Sequence, residues 1–468
     1  EYYLSNAIKS QNLHLIEYFF KENASSEFPL IEAVKTKNID VVNTVLKYVD
    51  SYHVNQNTKE GTALFIAVKN SNTEIVSRLL SIPGINVNIC NKESTIPLSV
   101  AISNANIEII EMLLDVYEKD KKMQTAQLNQ AIQEILQLFS TAKRGIKSNH
   151  SNSKDIDKMF PFLKRIMKFE NVDLNCSSGD FTILSYACSF NEKSIVSELL
   201  QTNRVDVNLF GPSNGNTALM SSIEAKNFEI AQMLIEYPST DINLSNYANK
   251  TALIIAAEND AVDTVDLLIH HKEFDPVKSR LDYAFYISNH AVSMKLIELE
   301  SLDVNLIIKS SKIFDVNPSM HDLCSTKLVR LIFLKPLDEE LIDLIIQHPS
   351  FDKEKSLADL ALFCSIICNV NMKTVKKLLS LFDNDINLID EEGNSLFVLA
   401  SQSKNHEVAD FILKNENFDC NKSDILNGFV LSLSDPFLSK EIFHYIEEHV
   451  KFNLRKINLF FFIFAKIK

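Results

Sequence analysis

A hydrophobic residue followed by asparagine returns along this chain at nearly constant intervals. The closing asparagines are 33 residues apart from Asn55 to Asn88 and again 33 apart from Asn175 to Asn208. A fixed period of this length is typical of a solenoid, in which each unit buries its apolar face only by stacking on its neighbours. Most of these motifs carry Asp or Asn before the hydrophobic residue, as in Asn86-Val87-Asn88, Asp173-Leu174-Asn175, Asp206-Val207-Asn208, Asp241-Ile242-Asn243, Asp303-Val304-Asn305, Asp385-Ile386-Asn387 and Asp419-Cys420-Asn421.

Two amphipathic stretches make up each unit. In the clearest one, the first stretch follows Thr62, and the second, residues 74–80, carries apolar side chains at the spacing of a helix buried on one side. Thr62 is expected to cap the first helix by accepting a hydrogen bond from an otherwise unpaired amide. The chain has only 8 glycines among 468 residues. That scarcity favours helices joined by short turns, because sheet-rich folds need glycine where φ is positive.

These units resemble ankyrin repeats, whose pattern has a Thr-Pro-Leu start, a second helix ending Leu-Leu and a closing Asp-Val-Asn. The quoted motifs are Gly61-Thr62-Ala63-Leu64, Thr95-Ile96-Pro97-Leu98, Asn216-Thr217-Ala218-Leu219 and Lys250-Thr251-Ala252-Leu253. The family's histidine after the leucine is replaced by Phe65, Ser99, Met220 and Ile254. The glycine between the two helices is also missing, with Ser71 or asparagines in its place, which is expected to lower stability more than to change the fold.

The resemblance implies an all-α fold: an ankyrin-type helical solenoid of about thirteen helix-turn-helix repeats with short connecting hairpin loops. Thr125 to Phe139 and Met159 to Val172 are expected to form the two helices of one stretched unit, with a polar insertion near 140–155. The predicted organisation is N-terminal repeats at 1–118, the extended repeat at 119–175, central repeats at 176–305, a degenerate repeat at 306–352, C-terminal repeats at 353–454 and an apolar tail at 455–468.

Charge and cysteine content restrict the partners and the compartment. The chain has 47 basic and 61 acidic side chains and a net charge of −14, which weighs against nucleic acid and anionic membranes as partners. Seven cysteines form no evenly spaced disulfide framework and are expected to be reduced thiols. We therefore expect a cytoplasmic protein, with the nucleus as the alternative, and a monomer.

The sequence carries no motif typical of an enzyme. Nucleotide P-loop, kinase, Gly-x-Ser-x-Gly and His-Glu-x-x-His patterns do not occur in it. Cys364 and Cys368 lie four residues apart without further ligands at zinc-site spacing, so core packing is the better interpretation. His270-His271 is interpreted as the end of a helix rather than a metal site. We expect no catalytic residues, no cofactor and no metal.

The function implied by the resemblance is that of a non-enzymatic scaffold or adaptor, which binds a protein partner on the concave face formed by loop tips and first helices. An alternative is a targeting arm of an enzyme or ubiquitin-ligase complex whose catalytic part lies outside this chain. A membrane-attached array would require the Phe-rich tail to continue as an apolar stretch. The binding candidates at the loop tips are Lys59, Glu60, Lys92, Glu93, Asp180, Asn214, Tyr247, Asn249, Glu391 and Glu392.

Stacking also predicts which leucines are buried. Leu79 and Leu267 are both expected to lie in the core, so that alanine at either position costs roughly 2–5 kcal/mol.

Overall fold

The computed structural model describes residues 2–119, 126–143, 159–170, 172–178, 181–309, 324–333, 337–420, 423–432 and 434–449. The chain divides into two compact units. The first comprises Glu1–Ile255 with His271–Glu273, and the second comprises Ala256–His270 with Phe274–Lys468. Each unit is described by itself below. The domain boundaries expected from the sequence remain predictions, and the tail at 455–468 lies outside the described residues.

Fifteen helices and one hairpin of the described residues lie wholly in the first unit. They are α1 (Tyr2–Lys9), α2 (Leu13–Lys21), α3 (Pro29–Lys35), α4 (Ile39–Leu46), α5 (Ser51–Val54), α6 (Ala63–Lys69), α7 (Thr73–Leu80), α8 (Pro97–Ser103), α9 (Ile107–Lys119), α10 (Ala126–Lys143), α11 (Phe160–Met167), β1 (Ser177–Ser178), β2 (Phe181–Thr182), α12 (Ile183–Ser189), α13 (Lys193–Gln201), α14 (Ala218–Glu224) and α15 (Phe228–Ile235).

Helix α16 (Ala252–Glu258) includes the residue at which the first unit ends. The described elements of the second unit are α17 (Val262–Ile269), α18 (Leu281–Ile287), α19 (His290–Leu296), β3 (Ile308–Lys309), β4 (Cys324–Ser325), α20 (Lys327–Ile332), α21 (Glu339–Gln347), α22 (Ala358–Ile367), α23 (Met372–Ser380), α24 (Leu396–Gln402), α25 (His406–Leu413), α26 (Ile425–Ser432) and α27 (Pro436–His449).

The helices follow one another as pairs, and the two members of a pair differ in burial. In α6 every residue from Ala63 to Val68 is buried, as expected for a helix that is apolar all round. In α7 only Ile75, Val76 and Leu79 are buried, on one face. The side chain of Thr62 caps α6 by accepting a hydrogen bond from the Phe65 amide at 3.1 Å, which confirms the predicted cap. The mostly helical, repeated fold expected from the sequence is therefore confirmed, while the count of about thirteen units stays a prediction.

Each first helix packs between the first helices of the preceding and following pairs. In the first unit α6 lies between α3 and α8, and in the second unit α24 lies between α22 and α26. Second helices form a parallel row, in which α7 packs on α4 and on α9. The core is therefore continuous within a unit, although each pair touches only its neighbours.

The periodic asparagine joins one repeat to the next. The Asn208 side chain donates a hydrogen bond from Nδ2 to the Ser239 carbonyl at 2.8 Å and accepts one at Oδ1 from the Asp241 amide at 2.8 Å. The backbone amide of Asn208 donates to Asp206 Oδ1 at 2.9 Å, which fixes the position of Asn208. We call this pair of bonds the asparagine clamp. The same clamp is made by Asn55 on Gly84 and Asn86, by Asn175 on Arg204 and Asp206, by Asn305 on Ser350 and Asp352, and by Asn387 on Asn417 and Asp419.

The loops that enter the first helices are of two kinds. In the first kind, which we call fingers, the chain forms a small hairpin, as between Thr58 and Gly61, between Ser245 and Thr251, and in β1–β2. These fingers are the short hairpin loops expected from the sequence. Strands β3 and β4 also pair antiparallel, but the residues that connect them lie outside the described ranges. The second kind is a single tight turn, and the described part of the second unit contains three of them. In these turns a serine amide donates to the carbonyl of an aspartate four residues earlier, in the pairs Ser279–Asp275, Ser356–Asp352 and Ser423–Asp419.

Between the two helices of a pair, the chain passes through the left-handed region without glycine. Ser71 has φ 52°, Ala105 has φ 50° and Lys226 has φ 61°. A residue with a Cβ is strained there, because the Cβ approaches the following carbonyl oxygen. The replacement of the family's glycine thus leaves residues with a Cβ in this conformation at several turns, and the lower stability expected from it stays a prediction.

Two sequence expectations are corrected. The first helix of the stretched unit, α10, ends at Lys143 and not at the expected Phe139. It therefore includes the first residues of the segment assigned to the polar insertion. The rest of that insertion lies outside the described residues. Leu267 is only half-buried, while Leu268 is fully buried. The buried stripe of α17 is Thr264, Val265, Leu268 and Ile269, so the buried leucine lies one residue later than expected.

The core of the second unit contains a lysine. Lys327 is 3% exposed, and its amine donates to the Ser288 carbonyl and lies 5.3 Å from the centre of the Phe285 ring. Burial is the main cause that lowers the pKa of the Lys327 amine to about 7; the nearby Arg330 acts in the same direction and Asp338 in the opposite one. The buried amine is therefore only partly charged at neutral pH.

We predict that Ala105→Gly raises the free energy of unfolding by about 0.5–1 kcal/mol, because glycine adopts φ 50° without the steric penalty of alanine. Denaturant unfolding monitored by circular dichroism measures the change. Ala67→Gly is the matched control, since Ala67 lies buried inside α6, where glycine is expected to destabilise. A loss of stability in Ala105→Gly would contradict the account of stored strain.

We predict that Lys327→Met flattens the pH dependence of stability between about pH 7 and 10. An unfolded lysine with its ordinary pKa of 10.5 binds more protons than the folded one in this window, so the natural protein becomes more stable as pH rises. The variant should be the more stable of the two at pH 7 and below, by roughly 2–4 kcal/mol. Unfolding curves at several pH values test this, with exposed Lys440→Met as control. Equal slopes in the natural protein and Lys327→Met would contradict it.

Candidate protein-binding surface

The finger tips of the first unit carry most of the residues that the sequence singled out. All seven candidates described in this unit are exposed and lie between a periodic asparagine and the next first helix: Lys59, Glu60, Lys92, Glu93, Asn214, Tyr247 and Asn249. Because successive fingers belong to successive repeats, these residues form a row, which we call the finger row. Asp180 lies outside the described residues. Glu391 and Glu392 are exposed at a finger of the second unit.

One tip of the finger row is set by two local hydrogen bonds. Thr58 and Gly61 exchange backbone bonds of 3.2 and 3.1 Å, which places Lys59 and Glu60 at the tip. Glu60 also forms an ion pair with the preceding repeat, in which Lys35 Nζ lies 2.9 Å from Glu60 Oε1. Both side chains of that pair are largely exposed, so it adds little to stability and is available for exchange with a partner's charge.

The fingers at 211–216 and 246–250 are joined to each other. The Tyr247 amide donates to the Asn214 carbonyl at 3.1 Å, and Asn246 Nδ2 donates to Asn216 Oδ1 at 2.6 Å. Asn246 in turn caps its own finger by accepting bonds from the Ala248 and Lys250 amides. The two tips therefore form one continuous, hydrogen-bonded platform.

The Tyr247 ring lies directly on the backbone of the neighbouring finger. A Cβ added to Gly215 would come within 2.5 Å of Tyr247 Cδ1, so only glycine allows this contact. Gly215 also has φ +70°, a conformation that favours glycine. Tyr247 nevertheless remains 67% exposed. The result is an aromatic side chain that is fixed on one face and open to solvent on the other.

Such a surface suits recognition of another protein. Rigid, exposed tyrosines supply large contact areas at a low cost in conformational entropy and are enriched at binding hot spots. The finger row adds lysines, glutamates and asparagine amides, which provide a polar rim. The sequence analysis identified Tyr247 and Asn214 as candidates but not Gly215. It also did not identify Phe210, which is exposed one residue before the finger at 211–216. One signal was present, since Gly215 is one of only 8 glycines.

Cys364 and Cys368, the cysteines considered for metal binding, lie in helix α22 and at its C-terminal end. Cys364 is buried in α22, and burial raises the pKa of its thiol to about 12, as expected for core packing. Cys368 is half-buried on the next turn. In the described part of the chain, no three His, Cys, Asp or Glu side chains come together as a set of metal ligands. Nor does any helix within the described ranges combine the length and apolarity needed to cross a membrane.

Comparison with known families agrees with the fold. A family model described as ankyrin repeats matches in three copies, over residues 30–125 and 153–246. These ranges include the fingers at Lys59, Lys92 and Asn214. The resemblance read from the motifs is thereby confirmed.

Two relatives show how far the similarity extends. An I-Kappa-B like protein C2 from Microplitis demolitor bracovirus (isolate Webb) is 29% identical over 101 residues, which is 22% of this chain and 56% of the viral protein. This chain thus spans little more than half the length of that relative. A crystal structure of the ankyrin repeat domain of Bcl-3, described as a unique member of the IkappaB protein family, matches at 18% identity with a TM-score of 0.27, covering 57% of this chain and 97% of that domain.

Proposed function

We propose that this ankyrin repeat protein is a non-enzymatic scaffold or adaptor that binds a protein partner on the finger row of its first unit. The observation that carries the proposal is Tyr247, which is 67% exposed and yet held by a neighbouring finger. A fixed, exposed aromatic side chain has no evident role in stability, because its free face contacts solvent. It is suited to fill a pocket on another protein.

The remaining candidates extend the same surface. Lys59, Lys92 and Glu93 lie at successive tips, so a partner that contacts Tyr247 meets charges of both signs along the row. Mixed charge favours a protein surface over a uniformly anionic polymer, and the net charge of −14 supports the same choice. Glu391 and Glu392 are proposed as a further contact on the second unit.

We predict that Tyr247→Ala abolishes specific capture of a partner from a native extract. Truncation of a hot-spot tyrosine costs about 2 kcal/mol or more, or roughly 30-fold in affinity. The measurement compares the proteins retained by the immobilised natural chain and by the variant, using quantitative mass spectrometry. Tyr18→Ala is the matched control, because Tyr18 is similarly exposed but belongs to the second helix α2 rather than to a finger.

A second pair of variants tests whether the position of the ring matters. Gly215→Ala should weaken capture as Tyr247→Ala does, because the new Cβ displaces the ring. Gly84→Ala carries the same positive-φ penalty, at φ +80°, but meets nothing within 4 Å. Gly84→Ala should therefore retain capture at similar stability. If Tyr247→Ala retains the same proteins as the natural chain, the finger row is not the binding surface.

A further inference from the structure

Helix α26 leaves apolar side chains exposed at positions that are buried in other repeats of the second unit. Like α18 and α22 it follows a tight turn, so the three helices can be compared residue by residue. The sixth residue is Tyr286 in α18, 4% exposed, Phe363 in α22, 8% exposed, and Val430 in α26, 48% exposed. The seventh residue of α26, Leu431, is 37% exposed, whereas Cys364 at the same position of α22 is buried. One side of α26 is therefore open where that of its counterparts is closed.

The following repeat accounts for the difference. The next first helix packs on each counterpart, α20 on α18 and α24 on α22. Helix α26 packs on the preceding α24, and its Gly428 faces the Phe397 ring there. Val430 lies two residues later, about 200° further around the helix, and so points away from α24. The exposed side of α26 is thus the side on which a following first helix would pack.

The chain has an apolar segment at the spacing of such a helix. From the start of a second helix to the start of the next first helix the distance is 19 residues across a tight turn, as from His406 to Ile425. Across a finger it is 24 residues, as from Met372 to Leu396. Leu459 lies 23 residues after Pro436, where α27 begins. It starts the run Leu-Phe-Phe-Phe-Ile-Phe-Ala, residues 459–465, which we call the Phe-rich segment and which lies outside the described residues.

The composition of this segment also matches a first helix. First helices of this protein are apolar on all sides because they are packed between others, as in α6, where every residue from Ala63 to Val68 is buried. The Phe-rich segment contains seven apolar residues and no polar one, and the first helix α24 is also seven residues long. Contact between the segment and α26 would remove apolar surface of both from water.

We propose that the Phe-rich segment packs against α26 and covers Val430 and Leu431, in the place that a first helix takes in the preceding repeats. The occupant of this surface is thus a segment of the same chain, and neither a membrane nor a second molecule. The contact extends the apolar core of the second unit by one further layer. It is independent of the finger row, which belongs to the first unit.

The test uses the full chain with one fluorescent reporter. The chain contains no tryptophan, so Phe462→Trp places a single tryptophan inside the Phe-rich segment. We expect its emission to be blue-shifted relative to the same chain unfolded in guanidinium chloride, and its quenching by iodide to be weak. Adding Val430→Asp should shift the emission to the red and strengthen the quenching, because a charge then lies on the covered surface. Leu431→Asp is a second variant with the same expected effect, and circular dichroism shows whether each variant remains helical.

The matched control is Ile367→Asp, which changes an aliphatic residue that is 41% exposed at the end of α22, two repeats away. It should leave the emission unchanged. An emission as red as that of the unfolded chain would overturn the proposal. So would a blue shift that appears only with vesicles of phosphatidylserine and phosphatidylcholine, which indicates a membrane surface, or one that is lost on dilution, which indicates a second copy. A blue shift that survives both Val430→Asp and Leu431→Asp would place the segment elsewhere and would also overturn it.

Discussion

The structure of each unit depends on the asparagine clamp. Turns between repeats expose backbone amides and carbonyls that no helix satisfies, and an unpaired group costs about 1–3 kcal/mol when it is shielded from water. A side-chain amide carries both an N–H donor group and an oxygen acceptor, so Asn208 satisfies the Ser239 carbonyl and the Asp241 amide together. Apolar stacking supplies the driving force, but it is not directional. The clamp fixes the register in which one helix pair stacks on the next, and this register places the fingers in a row.

A second set of side-chain contacts joins successive second helices through the residues that cap their N-termini. Asn38, Asn371 and Asn405 cap second helices, and each donates its side-chain amide to the preceding repeat. At two caps the residue is aspartate, which has no such donor. There the preceding repeat supplies a histidine, with His290 at 2.7 Å from Asp338 and His406 at 2.9 Å from Asp435. The direction of the hydrogen bond is reversed while the link between repeats is kept.

The period, the helix pairs and the caps could be predicted because they depend on short-range features: Thr62 precedes an apolar run, and Asn55 and Asn88 recur 33 residues apart in similar motifs. The tight turns could not, because the turn from Asp275 to Ser279 depends on a left-handed Arg280 before α18, and an arginine carries no local signal for positive φ. For the candidate site, exposure of Tyr247 followed from its place in the repeat. Its fixation by Gly215 did not, because that contact joins two repeats through backbone geometry.

The most direct test of the clamp is hydrogen exchange in Asn208→Ala. The Asp241 amide donates to the lost side chain, so its exchange should quicken first, together with amides of the adjoining helices α12 to α15. Exchange in α1 to α4 should be unchanged, since distant repeats do not touch. Asn57→Ala, which removes a single exposed bond to the Cys90 carbonyl, is the control. Unchanged exchange at Asp241, or equal loosening over the whole first unit, would contradict the claim that the clamp links neighbouring repeats.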